Sequence, residues 1–538
     1  MAETLISPGV LARENDQSFI TQQPVQVGAA IVGPAVKGPV EIPTIVTSYS
    51  DYQNRFGTTF DSGSEVFSYF TSIAAYNYFN NGGNTLLVSR VVSGSSGWAY
   101  ASASVASKEE GVLEVAADAL LTSITVNPTD CDAATYTTVA LTGGTGTGAL
   151  ATVICAGGVG TSTITSITIT TPGTGYVAGD SLTIAALDLG TGASAATIVL
   201  TAGDIAEGDP AFTLEAIDKG EIWNNTGSIT SGSLDSGSAD NVRWQIAGRN
   251  ESSGTFSLII RRGNDTTNNP VVLEQYNNLS LDPNQPNFIS AVIGDNKFNY
   301  NSAENYLEIS GSYANGSRYV RVKKVNKPTP NYLDNAGNAQ DQFTGSIPAL
   351  GSGSIGGAFQ AGVGSLITSI AGGGNYYEEA GTGASAVTQG LVSTDYNNML
   401  NLLSNQDDYR FNALLTPGLI DKVHASQTTT AINNTQGRGD SIYILDPVLY
   451  GSTIATTTGQ ANARNTSYAA VYWPWLQTFE PDSGKNVWIP ASTMIGGVYA
   501  FNDNVSEPWF APAGINRGGL TNVIRPERKL SQANRDTL

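Results

Sequence analysis

Short, continuous apolar runs lie at both ends of this chain, and neither end holds enough of them to close a core alone. Near the start, residues 29–46 alternate apolar stretches with the turns Gly33-Pro34 and Gly38-Pro39. A further run, 86–92, follows Asn81-Gly82-Gly83. Near the other end, the runs 411–415, 441–445 and 469–473 are separated by helix-length segments such as 418–427 and 459–468. Runs without polar alternation suit strands covered on both faces, as in a parallel or mixed sheet between helices. The β–α–β unit over 25–92 is too small to stand comfortably by itself, and residues beyond 394 can supply the rest of its sheet. The reading is a multidomain α+β fold. A discontinuous α/β domain (25–95 and 394–510), a mixed sheet covered by helices, carries nested insertions, one mainly β and one mixed α/β.

Helical periodicity fills the gaps between the runs. A short helix is expected over 50–56. Ser64 is expected to cap a longer one, with Val66, Phe67, Phe70, Ile73, Ala74 and Phe79 at helical spacing. Residues 395–405 place Tyr396, Met399, Leu400 and Leu403 on one side, and 491–501 form a further helix capped near Pro490 and Ser492.

The insertions differ in composition. Residues 96–212 are rich in Gly, Thr, Ala and Ser. GTGALATV (146–153) recurs as GTGASAATIV (190–199), with a shorter echo at 381–388, and 163–170 alternate cleanly before the turn Pro172-Gly173. That is hairpin chemistry, and the segment reads as a mainly β, surface-projecting domain. Residues 213–393 read as a mixed domain, with strands at 257–261, 271–276 and 319–325 and a short helix at 287–293.

Charged residues are only 13% of the chain, and 26 basic against 46 acidic residues give a formal charge of −20. That balance argues against nucleic acid as a partner. No run of 18 apolar residues and no signal-peptide pattern occurs, so neither membrane insertion nor secretion is expected. Residues 1–24 are mostly polar around isolated apolar positions and read as an arm that cannot bury itself. Cys131 and Cys155 read as two half-buried thiols, a disulfide between them being open but unsupported. Such cysteine usage fits synthesis in the cytoplasm.

Chemistry-bearing residues are sparse. The one histidine, His424, reads as a surface or capping residue, since no motif surrounds it. Asp446-Pro447 reads as a strand end that caps another element. Asp407-Asp408 and Glu378-Glu379 are adjacent in sequence, so their carboxyls point apart. Arg438-Gly439-Asp440 reads as a loop ahead of a buried strand. The aromatic cluster Tyr472-Trp473-Pro474-Trp475 with Phe479, Trp488 and Trp509 reads as core rather than a carbohydrate groove. No catalytic, metal or cofactor site is expected.

In order along the chain, several short motifs resemble one family. They are Ser7-Pro8-Gly9-Val10, then Gly33-Pro34-Ala35-Val36-Lys37-Gly38-Pro39, then Tyr52 with Phe56-Gly57, then Phe79-Asn80-Asn81-Gly82-Gly83 with Val88 and Arg90. Asn278-Leu279-Ser280-Leu281-Asp282-Pro283 with Phe288 follows, then Trp473-Pro474-Trp475, Pro490-Ala491-Ser492, and Ala511-Pro512-Ala513-Gly514 with Arg517-Gly518. The chain resembles the tail sheath proteins of contractile-tailed bacteriophages, in their large T-even-like form. The resemblance implies a structural protein without catalysis or cofactor. It implies self-assembly as stacked hexameric rings in a helical sheath, with the tail tube, baseplate and tail terminator proteins as partners and the virion tail as location. It also implies that the N-terminal arm, through Ile6, Pro8, Gly9 and Val10, adds a strand to a neighbour's sheet. Gly33, Lys37, Gly38, Pro39, Phe56, Gly57, Asn81, Gly82, Gly83, Arg90, Pro512, Gly514 and Arg517 are its structural motif positions. In the family the segment after Gly514 opens a further, polymerising domain, so 511–538 read as the truncated start of it. A virion-surface glycan or receptor binder and, less well supported, an α/β hydrolase are the competing readings.

Overall fold

The computed structural model describes residues 26–62, 65–92, 100–108, 112–113, 120–158, 161–206, 210–219, 229–230, 233–234, 237–356, 393–506 and 510–538. The arm positions Ile6, Pro8, Gly9 and Val10, together with Ser64, Glu378-Glu379, the 381–388 echo and Trp509, lie outside the described residues.

The strand Gln26–Gly33 sits inside a six-stranded sheet between Leu86–Arg90 and Arg410–Ile420, parallel to both. Ala29 faces Leu86 on one side and Ala413 on the other. The sheet continues in parallel through Ile442–Asp446 to Ala469–Val471, and ends at its other edge with the antiparallel Thr44–Val46. The two ends of the chain therefore share one sheet, as the apolar runs predict.

Alternate residues of each strand bury against opposite helical layers. Ala30, Val32, Leu87, Leu414, Tyr443 and Leu445 pack under Met399, Leu400 and Leu403, beside Ala431 and Ile432 of the helix Ala425–Arg438. Ala29, Ile31, Leu86, Val88, Leu415 and Ile444 pack under Tyr52 and Phe56 of Tyr49–Phe56, Ala74 and Tyr78 of Phe70–Asn80, and Ile495 and Val498 of Ser492–Val505. Each fully buried Ile, Leu or Val contributes about 1.5–3 kcal/mol, so two filled faces account for the apolar runs.

Three local expectations are corrected. Residues Glu65–Ser68 form a hairpin with Thr59–Ser62, and the helix starts only at Phe70, with Tyr69 as its N-cap. Val66 and Phe67 lie at helical spacing from Phe70, Ile73 and Ala74, but antiparallel pairing with Asp61 and Phe60 takes them into the hairpin. The strand Arg410–Ile420 runs through Pro417 and Gly418, where a register shift and a φ of +96° let it bend, so helix begins at Ala425 rather than at 418. The next helix is Ile454–Asn462, ahead of the 459–468 segment.

Two further bodies lie between the halves of the sheet. A six-stranded antiparallel sheet runs Thr163–Thr174, Thr147–Ala156, Thr135–Thr142, Ser181–Ile184, Ala196–Val199, Ile124–Val126, with its own core of Val139, Val153, Ile167, Leu182 and Ile198. Here Cys131 and Cys155 are both buried and joined by a disulfide, with Cα atoms 6.4 Å apart. That corrects the expectation of two half-buried thiols. The second body packs Tyr100–Val105, Phe212–Lys219 and Val320–Val325 against Val272–Ser280, Thr255–Arg262, Val242–Asn250 and Gly351–Ser354, around Phe212, Leu258, Leu279 and Val320. Finally, Val523–Pro526 pairs with Leu476–Glu480 beside Lys485–Ile489, over Trp475 and Trp488.

Candidate functional site

Most of the motif positions that the structure describes gather at two ends of the parallel sheet. The first group centres on Arg90, the last residue of its strand, which is wholly buried. Its Nε donates to the Ala35 carbonyl at 3.1 Å, and one terminal nitrogen donates to the carbonyls of Gly38 at 2.6 Å and Lys219 at 3.1 Å. The backbone adds Glu41 N–H to the Arg90 carbonyl at 2.9 Å. One side chain thus pins the loop after the first strand and the end of Phe212–Lys219, which belongs to the second inserted body.

The glycines of this group are close approaches. Gly38 holds φ +103°, and a Cβ there would meet the Phe56 ring at 2.6 Å and the Arg55 carbonyl at 2.8 Å. Gly57 holds φ +67° and its Cβ would meet Val36 at 2.9 Å. Lys37 N–H donates to the Phe56 carbonyl at 3.1 Å, and Lys37 Nζ pairs with Asp240 at 3.1 Å. Pro39 lines a cleft of about 400 Å³ with Ile42, Asp218, Phe298 and Tyr319.

The second group is the helix stop. Asn81 Nδ2 donates to the Asn77 carbonyl at 2.7 Å, and Asn504 donates to the Gly82 carbonyl. A Cβ on Gly83 would meet the Tyr78 ring at 2.2 Å. Pro512, Gly514 and Arg517 stand apart from both groups. Gly514 holds φ +82°, and Arg517 lies 4.6 Å over the partly exposed Phe510 ring.

The residues weighed for chemistry serve the scaffold. His424 is buried at the N-cap of Ala425–Arg438, where its Nδ1 accepts the Ile420 N–H at 2.8 Å. Asp446 accepts the Ser492 N–H at 3.0 Å and so caps the helix Ser492–Val505; burial pushes its carboxyl up to about 7 against these hydrogen bonds. Asp421 is bound by Gln460 Nε2 at 2.6 Å and by Arg464. Arg438 turns inward to the carbonyls of Leu403 at 2.8 Å and Tyr409 at 2.7 Å and pairs with Asp440, so its tripeptide presents no free guanidinium. Trp475 and Trp488 are buried, and Trp475 Nε1 donates to the Val448 carbonyl at 3.0 Å. Among the described residues no cluster of His, Cys, Asp and Glu is arranged to hold a metal, and no helix is long and apolar enough to cross a membrane.

Sequence reasoning marked Arg90 as a motif position but missed its bonds, because Gly38 and Lys219 lie 52 and 129 residues away. It missed Asp218 altogether; an isolated acid in an alternating strand gives no signal.

No protein-family model matches the chain. The chain is 35% identical over 116 residues to the tail sheath protein of Vibrio phage KVP40, covering 21% of this chain and 16% of that protein. It is 38% identical over 74 residues to the tail sheath protein of Enterobacteria phage T4, covering 14% of this chain and 11% of that protein. The matched stretches thus span well under two thirds of either relative. Among solved structures, the sheath tail protein of Listeria innocua aligns over 96% of this chain and 64% of its own, with 7% identity and a TM-score of 0.36. By sequence, the relatives of this chain are tail sheath proteins of bacteriophages.

Proposed function

We propose that this chain is a structural subunit of a contractile phage tail sheath, polymerising as stacked hexameric rings around the tail tube. Contraction of that sheath drives the tube through the host envelope. The observation that carries the reading is the pair of sequence matches to proteins named tail sheath protein. The scaffold roles of His424, Asp446, Asp421 and Arg438 support a non-enzymatic role. The partners are further copies of the chain, the tail tube protein, and the baseplate and terminator proteins at the two ends. The location is the virion tail, after synthesis in the host bacterial cytoplasm. Under this reading residues 1–24 are the linking arm, 25–95 with 394–510 one discontinuous domain, and the residues between them two inserted domains, with Tyr100–Val105, expected in the first of them (96–212), joining Phe212–Lys219 in the second (213–393).

Electron microscopy of the encoding phage, labelled with antibody against residues 120–206, tests the reading. Labelling along the whole tail, with six-fold rings in averaged images, is the expected result. Labelling confined to heads or fibres would sink it.

A further inference from the structure

Arg90 and Asp218 meet where the strand Phe212–Lys219 reaches the parallel sheet. The Arg90 guanidinium gives its bonds to three carbonyls, one of them Lys219, and makes no hydrogen bond to the carboxylate. Asp218 is only 4% exposed, and its Oδ1 is buried with no hydrogen-bond partner. An ionised carboxylate in that position is poorly served, because burial without full hydrogen bonding disfavours charge. On its other side lies the cleft of about 400 Å³ lined by Pro39, Ile42, Ile217, Phe298 and Tyr319.

We infer that Asp218 is a proton-controlled release at the contact between the parallel-sheet body and the second inserted body. Protonated, it is a neutral filling of a closed contact. Ionised, it draws water in through the cleft and lets the end of Phe212–Lys219 part from the loop that Arg90 holds.

The charged and titratable groups facing it come from every neighbouring element. They are Arg90 from Leu86–Arg90, Lys37 from the loop after the first strand, Tyr100 from Tyr100–Val105 and Tyr319 ahead of Val320–Val325. Arg55 and Arg318 stand at the cleft. Arg90 and Lys37 pull the Asp218 carboxyl down, but burial outweighs them and pushes it up to about 7. The sign follows. A group that holds its proton more tightly in the closed contact favours that contact at low pH. This contribution is lost as pH rises from the ordinary carboxylate range to about 7, and does not change beyond it. Between pH 6 and pH 8 the shift corresponds to about a tenfold rise in the opening constant.

The test is hydrogen exchange of the full chain at pH 6 and pH 8, corrected for intrinsic rates and read in peptides covering 86–92 and 212–219. Wild type is expected to lose protection about tenfold over that range, and Asp218→Asn, which keeps the shape without the charge, to stay flat. An equal loss in both proteins would overturn the proposal. Carbon NMR of the Asp218 carboxyl decides without a variant: a midpoint near 7 supports it, and one in the ordinary carboxylate range overturns it. Neither measurement requires the sheath reading to hold.

Discussion

The parallel sheet and the threonine-rich sheet solve the same problem, burying strands, by opposite means. The parallel sheet joins residues far apart in sequence, Gln26–Gly33 lying beside Arg410–Ile420, and fills both faces with helices. Its ends are secured by buried charged groups such as Arg90, Asp421 and Asp446. The threonine-rich sheet pairs neighbours along the chain, Thr135–Thr142 with Thr147–Ala156 and that strand with Thr163–Thr174. It has one buried face, no lysine or arginine between residues 120 and 206, and hydroxyls bonding to neighbouring-strand carbonyls, as Thr142 does to Thr183 and Thr170 to Leu150. Its loops are held by carboxylates, with Asp180 accepting the N–H groups of Thr145 and Val177 at 3.0 Å each. A sheet assembled from distant segments relies on long-range polar ties, whereas one assembled from hairpins needs only local ones and a covalent staple.

The contrast can be broken from either side. The largest effect is expected from Arg90→Met, which leaves three carbonyls without their donor, each buried and unsatisfied one costing about 1–3 kcal/mol. Urea unfolding followed by tryptophan emission reads this, because Trp475 and Trp488 sit in the parallel-sheet region while residues 120–206 hold no tryptophan. An unchanged midpoint would mean that Arg90 is not the tie described here. Next, reducing the Cys131–Cys155 bond, which spans 24 residues, should weaken the threonine-rich sheet by about 3 kcal/mol. Tryptophan emission should not move, while protease cleavage within 120–206 should quicken. A matching loss in the parallel sheet would show that the two regions are coupled.

A smaller effect, about 1–3 kcal/mol, is expected from Gly38→Ala, since the new methyl must displace the Phe56 ring at a positive φ. Thermal unfolding of this variant beside Gly192→Ala sharpens the point. Gly192 also has a positive φ, but its Cβ would meet nothing, so it should cost less. The last change is one of slope, spread over several pH units rather than seen at a single pH. Asp446 is raised to about 7 by burial, so its protonated form favours the fold, and that contribution is lost as pH climbs from about 4 to 7. Asp446→Asn should remove this part of the decline, and a parallel pH profile in wild type and variant would contradict the assignment.

Much of this architecture could be read in the sequence wherever period and punctuation agree. The apolar runs at 29–32, 86–88 and 413–415 have no polar alternation, and they proved to be strands buried on both faces, whereas Asn412 within the expected run 411–415 is exposed. The clean alternation at 163–170 proved to be a strand with one buried face. Residues 65–68 differ from the helical expectation because Val66 and Phe67 fall at helical spacing from Phe70, Ile73 and Ala74, and only the pairing with Thr59–Ser62 decides. The disulfide was not legible, since two cysteines 24 residues apart carry no spacing signal and only the fold brings them together. The Arg90 contacts were hidden for the same reason. Glycine motifs announce a close approach, but the sequence does not name the residue approached.

The place of Gln26–Gly33 between Leu86–Arg90 and Arg410–Ile420 also sets a clock for biosynthesis. Its partner on one side emerges soon after it, but the partner on the other is translated roughly 380 residues later. At about 5–20 residues per second that is a wait of roughly 20–75 s. Throughout it the nascent chain carries an apolar strand with one open edge, which is the kind of surface that pairs wrongly with other chains. The ribosome-bound state, rather than the finished fold, is then where protection by chaperones matters most.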